Sequence, residues 1–271
     1  MARTAPIILT QADLAQYVAQ EADFAFEMAA LHAIRDAGFD AEHAAAYKDP
    51  VTGRIRAYDI RARWSSPTEA YRFAVECKNL RPHAPLLVHA TPRLESEAYH
   101  TVIARYRVGN VFSDTHRLAG VYQRGVPVGR QTDQPMKDDK GDFKSNDSTT
   151  YEKWSQAVSS CADLVREAVN AAYQDPQVCA IVPILVVPDG VLWQVDYDEQ
   201  GNISTAVRQI DRTTLILRQH WSAEVMFGPL HYDISHVEIV TLSSLVARMK
   251  YLWGPNGLCA GSEQLLKRLV S

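Results

Sequence analysis

The spacing of hydrophobic residues changes from a helical period to a strand period within the first eighty positions. Apolar residues recur at three- and four-residue intervals over residues 11–37, which predicts one long helix that Gly38 ends. Alternating apolar and polar residues then predict three strands, at residues 44–47, 54–64 and 71–78. Turn-forming residues at 49–53 predict a hairpin between the first two of these strands.

The middle of the chain has a different character. Residues 79–147 show no clear period and contain ten Pro and Gly residues. A stretch of this length between core elements is typical of a functional insertion. We therefore predict an irregular insertion or lid in this part of the chain.

Regular spacing returns after the insertion. Apolar residues follow one side of a predicted helix over 149–173, and the apolar run at 179–187 is typical of a strand buried on both faces. Further strands and two final helices are predicted at residues 191–197, 203–210, 214–219, 237–240, 242–252 and 262–270. We expect one domain, with its core at 11–78 and 149–187, its insertion at 79–147, and a C-terminal extension at 188–271.

Composition narrows the classes of function without naming one. The 271 residues are 46% hydrophobic and 22% charged, which is ordinary for a globular protein. The net charge is −4, so a nucleic acid would have to be bound by a local basic surface. The 4 cysteines form no Cys-x-x-Cys pair, and no export signal or membrane-length apolar run is present. These features predict a cytoplasmic protein without membrane contact or a zinc ribbon.

Two carboxylates and a lysine carry the most informative chemistry. Asp59 lies in one predicted strand, and Glu76 and Lys78 share one face of the next. If these strands pair, the carboxylates meet beside an ammonium group. Such oxygen ligands suit Mg²⁺, or Mn²⁺ as a substitute, and a nearby lysine can orient a water molecule. The set predicts metal-dependent phosphodiester hydrolysis. The alternative is that Asp59 only forms a salt bridge with Arg61 or Arg63.

The spacing of Asp59 from Glu76-Cys77-Lys78 resembles the signature of the PD-(D/E)XK, or restriction-endonuclease-like, nuclease superfamily. The turn and strand at 49–60 are similar to those of the same family. The predicted order of helix, three strands, helix and strand resembles the family's αβββαβ core. Tyr58 stands where the signature has Pro. The similarity covers residues 20–80 and, more loosely, the following helix and buried strand.

The resemblance implies an α/β fold with a central mixed sheet flanked by helices. It also implies that Asp59 and Glu76 bind Mg²⁺ together with the backbone carbonyl of Cys77, while Lys78 positions the attacking water. The implied substrate is DNA in preference to RNA, and the implied product carries a 5′-phosphate.

Three further residues enter through the same resemblance. Glu27 resembles the acidic residue that many members contribute from their leading helix, with Glu21 as the alternative. Gln156 or Lys153 corresponds to the polar residue that related nucleases supply from the helix after the catalytic strand. Either residue is equally well explained as ordinary helix-terminal polarity.

The predicted insertion is the more basic part of the chain. Residues 79–133 contain seven arginines and four acidic residues, with aromatic residues between them. Arg105, Arg107 and Arg117 are the expected phosphate contacts, although an ordinary polar surface loop explains the same pattern. A second hypothesis is a nuclease-fold binding or assembly subunit, which would act with a partner protein or as a homodimer.

Overall fold

The described chain contains five α-helices and sixteen strands. A computed structural model describes residues 8–20, 22–108, 110–145, 147–170, 176–225 and 228–271. The helices are α1 (Gln11–Gln20), α2 (Phe24–Asp36), α3 (Asp147–Asn170), α4 (Leu242–Trp253) and α5 (Ser262–Val270). The strands are β1 (Asp40–His43), β2 (Ala46–Lys48), β3 (Ile55–Ala57), β4 (Ile60–Ser65), β5 (Glu69–Cys77), β6 (Leu86–Pro92), β7 (His100–Val108), β8 (Asn110–Leu118), β9 (Pro127–Asp133), β10 (Pro135–Lys137), β11 (Phe143–Ser145), β12 (Gln177–Val187), β13 (Leu192–Asp196), β14 (Arg208–Gln209), β15 (Arg212–Val225) and β16 (Gly228–Thr241).

Twelve of these strands form one mixed sheet. Its order is β1-β4-β5-β12-β16-β15-β9-β6-β13-β14, and β7 joins it beside β12 with β8 as its outer neighbour. β4 is antiparallel to both β1 and β5, whereas β12 runs parallel to both β5 and β16. The protein is therefore an α/β fold with a large mixed sheet. Among the described helices, none combines the length and apolar character needed to cross a membrane.

Helices cover both faces of the sheet because its central strands are apolar on both sides. In β5, Phe73, Val75 and Cys77 join a core formed with α2, α4 and α5, and we name this side the α2 face. Ala70 and Ala74 join the other core, formed with α3, and we name that side the α3 face. This alternation confirms the face predicted for Phe73, Val75 and Cys77.

The central strand β12 is buried along its whole length, as its unbroken apolar run predicts. It contains Pro183, which has no N–H for a sheet hydrogen bond. On the edge away from β5, β12 pairs with β7 through residues 177–180 and with β16 through residues 184–187. Pro183 lies between these two partners, and the Ile181 N–H is donated to the Tyr232 hydroxyl at 3.2 Å instead. The residue without an N–H therefore lies where β12 has no paired strand on this edge.

The first predicted helix is two helices. α1 ends at Gln20 and α2 begins after Asp23, although the apolar spacing continues across the break. Leu14 and Val18 of α1 are exposed, whereas Leu31 and Ile34 of α2 are buried against the sheet. The continuous helix was wrong because a helical period does not show whether a single core buries all of its apolar residues.

The predicted irregular insertion at 79–147 was also wrong, because β6, β7, β8 and β9 are strands of the main sheet. The prolines of this segment stand where strands tolerate them, as Pro92 ends β6 and Pro127 begins β9. Gly129 of β9 marks a close approach, since a Cβ there would lie 2.7 Å from Val88 Cγ1. These Pro and Gly residues therefore lie at strand ends or at a close contact between strands, and not in a loop.

Several remaining elements differ from prediction in length or continuity. The predicted strand at 54–64 is divided into β3 and β4, which belong to different sheets, and only residues 208–209 of the predicted strand at 203–210 form a strand, β14. The turn at 49–53 forms the predicted hairpin, but it joins β2 and β3 in a separate two-stranded sheet. The polar strand β1 has no hydrophobic alternation and was not predicted. The C-terminal strands at 214–219 and 237–240 are parts of the 14-residue strands β15 and β16. The final helix has the predicted bounds.

Candidate active site

Asp59 and Glu76 lie at the same end of the β4–β5 pair. Ile60, the first residue of β4, pairs with Val75 of β5, and Asp59 directly precedes Ile60 while Glu76 directly follows Val75. The Asp59 carboxylate accepts a hydrogen bond from the Cys77 backbone N–H at 2.7 Å, which holds it against the end of β5. The Asp59 carbonyl accepts the Ala44 N–H at 3.0 Å, so the preceding chain also fixes this position. The structure thus brings the two predicted carboxylates to one end of a strand pair.

Glu76 is completely buried and shares the α3 face with Ala74. Its negative charge affects the pKa values of two neighbouring groups, the Tyr47 hydroxyl and the Cys161 thiol. Burial first, and then the negative charges of Glu76 and Asp49, raise the pKa of Tyr47. Burial and then Glu76 likewise raise the pKa of the Cys161 thiol, against a lowering effect of Arg61. Both groups therefore stay protonated beside the Glu76 carboxylate.

Gln156 ties the start of α3 to the strand that leads into Asp59. Its side-chain Nε2 donates a hydrogen bond to the Ala57 carbonyl at 2.6 Å. Its backbone carbonyl lies 3.5 Å from the Tyr47 hydroxyl, which is the donor. The Gln156 side chain thus contacts the backbone two residues before Asp59. The side chain of Lys153 lies outside the described residues.

Lys78 follows directly after β5, where strict strand alternation no longer applies. Its backbone N–H donates to the Val186 carbonyl at 2.9 Å, which anchors the residue beside β12. Its Nζ lies 3.9 Å from the Asp23 carboxylate, at the start of α2. About a quarter of the side chain is exposed. The ion pair that the structure gives Lys78 is therefore with a residue that the sequence analysis did not consider.

Glu27 pairs with a histidine. Its carboxylate lies 2.9 Å from His43 Nε2, between α2 and β1, and the Phe24 ring contacts His43 edge-on. Asp23 lies one helical turn before Glu27, and the Glu27 N–H donates to the Asp23 carbonyl at 3.0 Å. The alternative residue, Glu21, lies outside the described residues. The His43 imidazole of β1 thus holds Glu27 in the first turn of α2, the helix that Asp23 precedes.

The acidic groups at this end of the sheet do not form a larger metal cluster. Within the described part of the chain, no group of three or more His, Cys, Asp or Glu residues is arranged to hold a metal ion. A divalent cation here would depend on Asp59 and Glu76, backbone oxygen and water. Mg²⁺ keeps several waters and is commonly bound through one or two carboxylates, so this oxygen donor set fits it.

A pocket of about 570 Å³ adjoins the site on the α3 face. The β2–β3 hairpin, the start of α3 and β15 form its walls. Trp154, Trp221, Arg56 and Gln156 are among its lining residues. The Arg56 side chain is half-exposed and lies 2.9 Å from the Asp49 carboxylate. The pocket therefore combines aromatic surface with an accessible guanidinium next to Gln156.

The arginines expected to bind phosphate lie elsewhere. Arg105 is only 8% exposed and pairs with Gln177 at the first residue of β12. Glu76 pairs with Leu185 of the same strand, eight residues further on, which corresponds to about 26 Å. Arg107 is exposed on the β7–β8 hairpin, still farther from Glu76 along this direction. The structure does not bring these residues together with the carboxylates.

Arg117 is exposed, but it already contacts two residues of the protein. Its guanidinium lies 2.8 Å from the Asp233 carboxylate and 4.4 Å from the Tyr99 ring centroid. Tyr99 is one of the aromatic residues that alternate with arginines in this segment. The contact stabilises β8 against β16 and leaves part of the guanidinium accessible.

Sequence reasoning missed Asp23, His43 and Tyr47. Asp23 carried a usable signal, because Asp immediately before an apolar helix is a common N-terminal residue. His43 and Tyr47 carried none, since their roles depend on how β1 and the β2–β3 hairpin pack against α2 and α3.

No family model, curated protein or solved structure matches this chain. The interpretation of the site therefore depends on its residues and geometry.

Proposed function

We propose that the protein is a magnesium-dependent nuclease that hydrolyses phosphodiester bonds, with DNA as the favoured substrate. The observation that carries the proposal is the register of β4 and β5, in which Ile60 pairs with Val75, so that Asp59 and the buried Glu76 flank this pair at one end of the two strands. The elements α2, β1, β4, β5, α3 and β12 support it, because they follow this order along the chain, with other strands between them, and β1, β4, β5 and β12 are neighbours in the sheet. The resemblance to the restriction-endonuclease-like family implies a helix, three strands, a helix and a strand in this order.

The residues divide into those that would hold the metal and those that would act on the substrate. Asp59, Glu76 and the Cys77 carbonyl would supply the protein oxygens for Mg²⁺. When bound, Mg²⁺ lowers the pKa of a coordinated water and polarises a phosphoryl oxygen. The Cys77 N–H already holds one Asp59 oxygen, so the carboxylate is oriented before any ligand arrives.

Lys78 would offset the negative charge that develops on the phosphate and orient the attacking water. Its flexible side chain is partly exposed, so it can exchange the Asp23 carboxylate for a substrate oxygen. Asp23 would then be a positioning residue that keeps the ammonium group near the end of β5. The tryptophans of the adjoining pocket would suit stacking with an unpaired base, and Arg56 would suit a phosphate.

Cleavage assays with Lys78→Ala test this proposal. Single-turnover rates are measured with labelled single- and double-stranded DNA and RNA, in Mg²⁺ and in Mn²⁺. Loss of a preorganised charged group is expected to lower the rate about a hundred- to a thousandfold. Lys250→Ala is the matched control, because Lys250 is exposed on α4. The melting temperature of each variant shows whether it is folded.

The alternative is a binding or assembly subunit with this fold. The ion pair of Lys78 with Asp23 and the distant position of Arg105 favour it. Nucleic-acid binding by wild type without cleavage in either metal supports the subunit and refutes the nuclease. A folded Lys78→Ala variant that cleaves at the wild-type rate would remove Lys78 from the chemistry.

A further inference from the structure

A second polar pocket lies on the opposite face of the sheet from Glu76. Its volume is about 360 Å³, and four arginines line it, which are Arg93, Arg208, Arg212 and Arg248. We name it the arginine pocket. Glu238 lies in its wall and pairs with Ile184, which belongs to the core of the α2 face. The pocket is therefore separate from the proposed nuclease site.

Two of the four arginines have carboxylate partners within the fold. Arg248 donates two hydrogen bonds to Glu238, at 2.8 and 2.7 Å, and the Tyr122 hydroxyl donates a third at 2.8 Å. Arg208 donates to the Asp196 carboxylate at 2.7 Å. These pairs neutralise both acidic groups, so neither carboxylate is available to the other arginines.

Arg93 is buried among neutral partners. Only 3% of it is exposed, and its guanidinium donates to His236 Nε2 at 3.2 Å, the Gln123 carbonyl at 3.0 Å and the Thr214 hydroxyl at 2.7 Å. Burial, and then the charge of Arg93, lower the pKa of His236 to about 2, so this ring is neutral. Among the described residues, no carboxylate forms an ion pair with Arg93. Burial accordingly lowers the pKa of Arg93 itself.

The carboxylates that act on Arg93 through space are already engaged by other arginines. Glu238 and Glu97 act on it through space, but Arg248 holds Glu238 and Arg130 holds Glu97. A buried cation without a close anion is costly, and such charges are normally paired. The wall of the pocket therefore presents a guanidinium that stacks at 5.3 Å from the Tyr122 ring centroid but has no ion pair with a carboxylate of the described residues.

Arg212 places a second charge at the mouth of the same pocket. It is exposed, and its guanidinium lies 5.8 Å from the centroid of the Tyr251 ring. No described carboxylate forms an ion pair with it. Thr213 and Gln194 add buried hydrogen-bonding groups to the lining. The pocket thus has one guanidinium in its wall, one at its rim, and neutral polar groups between.

We propose that the arginine pocket binds a small phosphate ester, with its phosphate held by Arg93 and Arg212. Guanidinium groups match the geometry and charge of phosphate oxygens. The volume is at the lower end of the range for small-molecule sites and is larger than a bare phosphate needs. The remainder of the pocket, next to Gln194 and Tyr251, would accommodate the esterified part of the ligand.

Binding is measured with the full chain in the presence of EDTA, so that no divalent cation can recruit phosphate to Asp59 and Glu76. Inorganic phosphate and adenosine monophosphate are titrated by calorimetry and by thermal shift, at an ionic strength kept constant with chloride. Both should raise the melting temperature above the chloride reference, since a ligand of the folded state stabilises it. The ester should bind more tightly than inorganic phosphate. Equal affinities would overturn the assignment of an ester.

Arg212→Gln should weaken phosphate binding about tenfold or more, since it removes a charge-assisted contact at an exposed position. Arg124→Gln is the matched control, because Arg124 is highly exposed and adjoins Gln123 without lining the pocket. Arg93→Met should abolish binding, and Arg212→Gln keeps the test decisive if that variant does not fold. Wild-type affinity in Arg212→Gln, or no phosphate effect in wild type, would refute the site. Asp59→Asn should bind phosphate normally, which separates this result from any failure of nuclease activity.

Discussion

Replacement of Glu238 by Gln tests the electrostatics of the arginine pocket through stability alone. Glu238 is 1% exposed, and it accepts hydrogen bonds from Arg248 and Tyr122. Gln has almost the same shape, so packing is retained while the negative charge is removed. The variant removes the carboxylate that pairs with Arg248 and that also acts on Arg93 through space. Arg248 and Arg93 then remain as two buried cations.

The structure sets the size of the expected loss. Removal of one member of a buried ion pair typically costs about 3–5 kcal/mol, because the remaining charge is left desolvated. The amide oxygen still accepts one hydrogen bond, so we expect a decrease of about 3 kcal/mol in the free energy of unfolding. For a chain of this size, that corresponds to a melting temperature lower by about 10 °C.

Urea and thermal unfolding of Glu238→Gln measure this loss. Glu95→Gln is the control, because Glu95 is 78% exposed and lies 3.7 Å from the exposed Arg124. Such a surface pair should contribute less than about 1 kcal/mol. The double variant Glu238→Gln with Arg248→Met should recover part of the loss by removing one unpaired cation. A decrease below about 1 kcal/mol in Glu238→Gln, similar to the control, would refute the reasoning.

Two further predictions concern the metal ligands and the buried histidine. Asp59→Asn should weaken Mn²⁺ binding measured by calorimetry, because an amide is a poorer ligand for a hard cation, and unchanged affinity in a folded variant would remove Asp59 from the metal site. Burial lowers the pKa of His100 to about 4, below its ordinary 6.5, so the unfolded chain takes up the proton first. Stability should be retained above pH 6.5 and decrease by roughly 3 kcal/mol as the pH falls toward 4, and His100→Gln should reduce this dependence in urea unfolding. An identical pH dependence in wild type and variant would show that the lowered pKa of His100 is not its cause.

Local patterns in the sequence were sufficient for elements that carry their own signal. The helix Ser262–Val270 and the buried strand Gln177–Val187 are close to prediction, because helical spacing and an unbroken apolar run are properties of a few adjacent residues. The alternation of Phe73, Val75 and Cys77 with Glu76 follows from strand geometry in the same way. The two carboxylates could be expected at one end of a strand pair because their strands are close in sequence.

Pairing between distant segments decided the rest. Gly and Pro in residues 79–147 look the same in a loop as at strand ends, and only their pairing with β12 and β15 distinguishes the two. Arg105 looks like a surface cation until β7 pairs with β12 and buries it. Lys78 is paired with Asp23 because α2 begins beside the end of β5. The arginine pocket assembles residues from 93 to 251, and their charges become balanced or unbalanced only when the sheet brings them together. Burial and charge pairing are properties of neighbours in space, which a local period does not encode.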